Sequence, residues 1–415
     1  NSFCTLLVAV MPPKKGAPKG KANKQKEDQE FEALLKELNK STAAKGKSDA
    51  QKHKDEPKHV TTAERKAAFR AQQKEKEEAA AKQLESRAQQ NKLQEMLREL
   101  MKNGGPGAFG SPYLDKPNTE IETGSVTAKA PATVSAGFAA MQGWRRNMED
   151  AHIMSPNFYR GGDQDWHLFS VMDGHGGEVV AQTVKKLLPA ILLKSFGSQP
   201  PSDGALTSAF AEMDLAIRKK HGEECNSCGT TCVTTLISDQ KVVCASVGDS
   251  RAVLARKAGT PNDVVPLAFD HKPENDGERD RIVAAGGHVE NNRVNGNLAM
   301  SRALGDYMYK TVEGKSTTEQ LVINVPDVIS AERKPGDEFV VVACDGIFDV
   351  LTNDALVEAI REEIAAIGAT GQRLSTSQLE MIAGNITKKC LAPGGANGPS
   401  RPDGTDNMSI VIVQL

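Results

Sequence analysis

Apolar positions are sparse over the first hundred residues and dense after them. Residues 11–60 are rich in Lys, Gln, Ala and Glu and are broken by Pro and Gly. Such a composition cannot bury enough apolar surface to order itself, so a disordered tail is expected, with one short helical stretch at EFEALLKEL. From Thr61 the pattern changes. Thr61-Thr62-Ala63-Glu64 has the form of a capping box, strong helix formers follow it, and Asn103-Gly104-Gly105-Pro106 is a stop signal. A helix is predicted over 61–105. Its apolar stripe is thin until Leu93, Met96, Leu97 and Leu100, which reads as a solvated helix with one adhesive end rather than a coiled coil. The prolines and glycines of 106–132 read as a linker.

An ordered domain is expected over 133–415, with structure starting near Val134. VTTLISD, KVVCASVGD and RAVLARK follow one another with short turns between them, as in an antiparallel meander. EFVVVACDG and NMSIVIVQL read as buried strands. Helices are expected over 178–193, over 354–367, and over 206–219, where Leu206, Phe210, Met213 and Ile217 share one face. Strands and helices mix without a regular βαβ rhythm, so the fold class is α+β with antiparallel sheets and helices outside them.

Net charge is only −2, but it is unevenly spread. Residues 11–105 carry 23 Lys and Arg against 15 Asp and Glu, and the rest of the chain 29 against 39. A basic tail on an acidic body is the picture, and the tail could meet an acidic protein, RNA or an anionic surface. No aromatic residues interleave with its lysines to stack on bases, and a solubilising tail is the blander reading. Seven unevenly spaced cysteines do not form a disulfide framework, which favours a reducing, cytoplasmic or nuclear setting. The apolar start FCTLLVAV lacks a basic flank and is too short for a membrane span or a convincing signal peptide, and residues 1–10 read as sequence upstream of Met11. A monomer without a transmembrane segment is expected.

Acidic residues recur where strands are expected to end: Glu149 and Asp150 in GWRRNMEDAH, Asp173 in VMDGHGG, Asp249 in SVGDSR, Asp345 and Asp349 in ACDGIFD, and Asp406 in GTDNMS. One Asp-Gly at a strand end is usually a turn. The set is different, because converging carboxylates repel one another and must be separated, protonated or neutralised by cations. Oxygen donors alone suit a hard divalent ion such as Mg²⁺ or Mn²⁺. His221, Cys225, Cys228 and Cys232 form HxxxCxxCxxxC, which invites a zinc reading, with buried packing of Cys232 the simpler alternative.

Taken in order, GWRRNMEDAH, FSVMDGHGG, GTTCVTTLI, VGDSRAVL, DHKP, RVNGNLAMSRALGD, VVVACDGIFDVL and GTDNMSIVIV resemble the metal-dependent protein phosphatase family, the type 2C serine/threonine phosphatases. The resemblance covers about two-thirds of the chain. It implies a sandwich of two antiparallel β-sheets flanked by α-helices, in four layers α-β-β-α, with two Mg²⁺ or Mn²⁺ ions and in some members a weaker third. It implies that Asp173 bridges the two ions and that the Gly174 carbonyl is a further ligand. Asp345 and Asp406 would complete one ion, Glu149 would sit beside the other, and Asp150 would orient this shell. Asp249, Asp345 and Asp349 would hold the third. Arg145 would bind the phosphoryl group, His175 would protonate the leaving oxygen, and Arg302 would give structural support or touch substrate. The implied reaction is hydrolysis of phosphoserine and phosphothreonine in phosphoproteins by a metal-bridging hydroxide, without a phosphoenzyme. The polar run KTVEGKSTTEQ falls where the family has a variable flap. Two rivals remain at this stage: a scaffold that keeps the fold without the activity, and a phosphatase acting on small molecules.

Overall fold

Two apolar runs, FVVVA in β15 (Asp337–Ala343) and SIVIV in β18 (Met408–Gln414), lie side by side within one sheet. This is a computed structural model, and it describes residues 111, 113–128, 134–260, 263–395 and 398–415. The tail expected over 1–60 and the helix expected over 61–105 lie outside the described residues. The sheet has six strands in the order β1 (Tyr113–Thr127), β2 (Ser135–Arg145), β18, β15, β9 (Arg251–Arg256) and β10 (Val264–Pro266), and every pairing is antiparallel. A second antiparallel sheet has the order β14 (Asp327–Glu332), β8 (Lys241–Val247), β7 (Cys232–Ile237), β4 (Gln164–Met172) and β3 (Ala151–Gly161).

The two sheets face each other. Phe138, Leu254, Val340, Val342 and Val411 of the first share one buried cluster with Phe169, Val171, Val233 and Val242 of the second. The alternate residues of the first sheet, Met141, Val253, Val341 and Ile412, point the other way and bury against α5 (Asn353–Ala366) and α6 (Thr376–Cys390). Both faces are covered, which is why these strands read as continuous rather than alternating apolar runs. On the far side α1 (Val179–Phe196) packs on β3 and β4 and pairs with α2 (Asp203–His221). The four layers are therefore helix, sheet, sheet and helix. A short helix α3 (Asp276–Ala284), the one-turn α4 (Asp345–Phe348), and the hairpins β11 (Val289–Glu290) with β12 (Arg293–Val294) and β16 (Gly394–Gly395) with β17 (Gly398–Pro399) complete the periphery.

Three sequence expectations are corrected. The segment read as linker forms β1, an edge strand whose backbone pairs with β2 from Tyr113↔Arg145 to Thr127↔Ser135, with irregularities around Pro117 and Asn118. Its side chains are mostly exposed, so it shows no alternation; hydrogen bonds to β2 define it, not burial. The expected three-strand meander is broken, because β7 and β8 pair while β9 crosses to the other sheet. Apolar periodicity is the same for either destination. The third is α6, which was not expected, although Ser375 and Gln378 form a full capping box at its start.

Helix α6 crosses β2 closely at Gly137. A Cβ there would stand 2.5 Å from Leu379 Cβ and 2.6 Å from the Glu380 nitrogen. Gly137→Ala should force the helix outward and cost about 1–3 kcal/mol through overpacking, read as a lowered midpoint in urea at unchanged slope.

Candidate active site

The strands place their acidic ends at one rim of the sandwich. Asp173 follows β4, Asp345 follows β15, Asp249 lies between β8 and β9, Asp150 precedes β3 and Asp406 lies just before β18. The registers Ala151↔Met172, Cys232↔Val247, Ala343↔Ile410, Ala343↔Arg251 and Met408↔Met141 put all these ends on the same side.

Local hydrogen bonds fix the loops. The Asp173 N–H donates to Thr231 Oγ1 at 3.1 Å, and its carbonyl accepts from the Thr231 N–H and the Thr230 hydroxyl, each at 2.9 Å. A Cβ at Gly174 would collide with the Glu149 carbonyl oxygen, so only glycine fits. Glu149 caps the loop beyond it, its Oε2 accepting from the Gly177 N–H at 2.9 Å, while its own N–H donates to Asn407 Oδ1 at 2.9 Å. Asn407 also donates to the carbonyls of Gln142 and Asn147, tying the β2 exit to the β18 entry.

The carboxylates act on one another. Burial, then the charges of Asp150, Asp345, Asp406 and Asp249, push the Asp173 carboxyl well above its ordinary range. Burial and the charges of Asp249, Asp406 and Asp349 do the same to Asp345. Asp150 is raised to about 7, chiefly by burial. Both its oxygens lack a well-formed hydrogen bond, although the Ser409 hydroxyl and the Cys344 thiol lie against it. Burial raises Asp406 despite the opposing charge of Arg145, which pairs with it. Asp349 is raised by burial against the pull of Lys272. Lys272 donates to Asp249 Oδ2 at 2.6 Å. The remaining oxygens, Asp249 Oδ1 and Asp345 Oδ1, are buried without a partner.

This donor set suits a hard cation: it is all oxygen, crowded, and under-satisfied by protein hydrogen bonds. Among the described residues no three His, Cys, Asp or Glu side chains already aim at a common point. Arg145 and Lys272 hold Asp406 and Asp249 instead, so side-chain rotation would have to accompany cation binding.

His175 lies on β5 (Gly174–His175), the edge of a small sheet with β6 (Gly229–Thr230) and β13 (Leu304–Gly305). Its Nε2 is 2.7 Å from Asp306 Oδ2. Burial opposes charge on the ring, but Asp306 outweighs it and holds the pKa above the usual histidine value. Asp306 was not singled out by sequence; its motif SRALGD was, but a partner 131 residues away is a tertiary fact.

Other candidates fall elsewhere. Arg302 pairs with Glu278 at 2.7 Å and Asp327 at 2.8 Å, a supporting role apart from the acidic rim. The zinc quartet is not assembled: His221 Nε2 bonds the Thr183 hydroxyl at 2.8 Å, Cys232 is buried in β7 beside Thr234, and burial pushes the Cys225 thiol up to about 12. The flap is pinned at both ends by Asp214 of α2, which accepts from Lys310 and Asn324, each at 2.9 Å. Asp214 is a further residue missed by sequence, since an isolated helical Asp carries no motif.

Two facing antiparallel sheets with helices outside make an α+β sandwich with a carboxylate-lined rim. Over residues 134–397 the chain matches the protein phosphatase 2C family. It is 39% identical over 306 residues to a probable protein phosphatase 2C of Caenorhabditis elegans, spanning 73% of this chain and 79% of that one. It is 41% identical over 285 residues to protein phosphatase 2C homolog 2 of Schizosaccharomyces pombe, spanning 67% and 72%. A crystal structure of a phosphatase from a pathogenic strain of Toxoplasma gondii shares the fold at a TM-score of 0.57 and 23% identity, over 71% of this chain and 97% of that one. The chain belongs to the protein phosphatase 2C family, the metal-binding serine/threonine phosphatases that its motifs resemble, and is an enzyme of that class. Among the described residues no helix is long and apolar enough to cross a membrane.

Proposed function

We propose that this chain hydrolyses phosphoserine and phosphothreonine in proteins directly to phosphate and the free hydroxyl, with divalent cations held at the acidic rim. The observation that carries the proposal is the set of buried, mutually repelling carboxylates Asp150, Asp173, Asp345 and Asp406, which only protons or cations can neutralise. In this reading Asp173, the Gly174 carbonyl, Asp345, Asp406 and Glu149 would hold two Mg²⁺ or Mn²⁺ ions, and Asp150 would brace them. A weaker third ion would take Asp249, Asp345 and Asp349 in exchange for the Lys272 ammonium. When bound, such ions make hydroxide available near neutral pH and offset the charge of the phosphoryl group.

The chain's own residues do the rest. Arg145, half-exposed at the end of β2, pairs with Asp406 and would be free to meet a phosphoryl group if that carboxylate were neutralised otherwise. Its guanidinium fork then suits two phosphoryl oxygens. His175 gives a proton to the serine or threonine oxygen as the P–O bond breaks, because an alkoxide is a poor leaving group. No nucleophilic side chain takes part.

The direct test is hydrolysis of a phosphothreonine peptide with Mn²⁺. Activity should vanish on chelation and return with metal. A covalent phosphoenzyme trapped by acid quench, or turnover that survives chelation, would sink the proposal.

A further inference from the structure

In the small three-stranded sheet, Gly229 is the register partner of both His175 and Gly305. The central strand therefore presents a glycine between the strand that carries His175 and the strand that leads into Asp306. A Cβ at Gly229 would run into the Asp306 carboxylate, lying 2.7 Å from its Cγ, and would stand 2.8 Å from His175 Nε2. The absence of a side chain there is what lets imidazole and carboxylate meet at 2.7 Å.

Asp306 itself is held unusually firmly. It adopts the left-handed conformation, φ 53° and ψ 45°, which costs a non-glycine residue energy and persists only when its surroundings enforce it. Its N–H donates to the Cys228 carbonyl at 2.9 Å, and its own carbonyl accepts from the Tyr309 N–H at 3.0 Å. The preceding Gly305 has φ 88°, and its N–H donates to Asp214 Oδ1 at 2.8 Å. The Asp306 side chain is 2% exposed. The other ring nitrogen of His175, Nδ1, is buried and meets no hydrogen-bond partner.

We propose that Asp306 is the positioning residue of His175: it fixes the ring through Nε2, so that Nδ1 is the nitrogen that serves the leaving oxygen. The Nδ1–H bond breaks as the new O–H bond forms and the P–O bond cleaves, and Nε2 keeps its hydrogen on the Asp306 carboxylate. A buried carboxylate that fixes the tautomer and aim of a catalytic imidazole is a familiar device in other hydrolases, and here it is built from a β-sheet register. The inference rests on the general-acid reading of His175.

The experiment compares a phosphothreonine peptide with nitrophenyl phosphate, whose leaving group barely needs a proton. Asp306→Asn should lower kcat on the peptide by ~10- to 100-fold with KM little changed, and alter turnover of the aryl ester by less than about threefold. His175→Ala should show the same selectivity, and the double variant should be no slower on the peptide than His175→Ala alone, since the two residues act as one unit. Gly229→Ala, which keeps both side chains but pushes them apart, should reproduce the pattern and decides the matter if Asp306→Asn does not fold. Equal losses on both substrates from Asp306→Asn and Gly229→Ala, with His175→Ala still selective, would overturn the role of Asp306 alone. Equal losses from His175→Ala would overturn the general-acid reading and this inference with it.

Discussion

Asp173→Ala should lower kcat/KM on a phosphothreonine peptide by about a thousandfold, the scale seen when one member of a charge-stabilising site is removed. The same substitution should make the metal-free protein more stable to heat. Asp173 is buried among Asp150, Asp345, Asp406 and Asp249, and its ionised form repels all four. Removing it relieves that repulsion, while Thr231 still holds the loop through the backbone N–H of residue 231. Opposite effects on activity and stability are the signature of a group kept for function against its own folding cost. Calorimetry with and without Mn²⁺ reads the second half: the variant should also lose most of the stabilisation that Mn²⁺ gives the parent. A loss of activity accompanied by a lower metal-free melting temperature would instead mark Asp173 as a structural residue.

The metal-free parent should lose stability as pH rises from about 4 to about 7, with Asp150 a leading contributor. Its carboxyl titrates near its ordinary value in the unfolded chain but is raised to about 7 in the fold, mainly by burial. Between those two values the native state holds a proton that the unfolded state has released, so each step up in pH favours unfolding. Above about 7 both states are ionised and this contribution stays lost. Asp173, Asp345 and Asp406, all raised, act in the same direction. Saturating Mg²⁺ or Mn²⁺ should flatten the profile by neutralising the same charges and binding only the native state. Melting temperatures across pH 5–8, with chelator and with metal, check this. A profile that rises with pH in chelator would show that the rim is neutralised by the protein itself.

Much of this architecture was legible because strand ends carry their chemistry in sequence. The runs before Asp173, Asp249 and Asp345 are apolar, and a following acid then has to sit at a sheet edge. Helices α1, α2 and α5 were legible from one-sided burial, as at Leu206, Phe210, Met213 and Ile217. What stayed hidden depends on partners far away in the chain. Strand β1 contains Pro117, Lys116 and several exposed acids, and it is a strand only because β2 offers it an edge. Strand β9 has the same apolar pattern as β8, yet the turn at Gly248, with φ 96°, sends it into the other sheet and leaves Asp249 at the crossing. Asp306 and Asp214 were hidden for the same reason: each acts on residues of another element, and a single acid carries no record of its partner. By contrast α6 could have been found, since Ser375 and Gln378 have the spacing of a capping box.

The position of β18 has a consequence for how the protein comes into being. It lies between β2 and β15, pairing Ser135 with Gln414 across some 280 residues of chain. During translation β2 leaves the ribosome long before its neighbour exists, so the first sheet cannot close and Asp406 cannot join the rim until almost the whole domain has been made. Contacts of such long range make folding slow, and for that interval the apolar faces of β2 and β15 stand unpaired, which is a natural point for chaperone engagement. If Asp406 serves the reaction as proposed above, the same order would keep the nascent chain inactive until synthesis has passed residue 406.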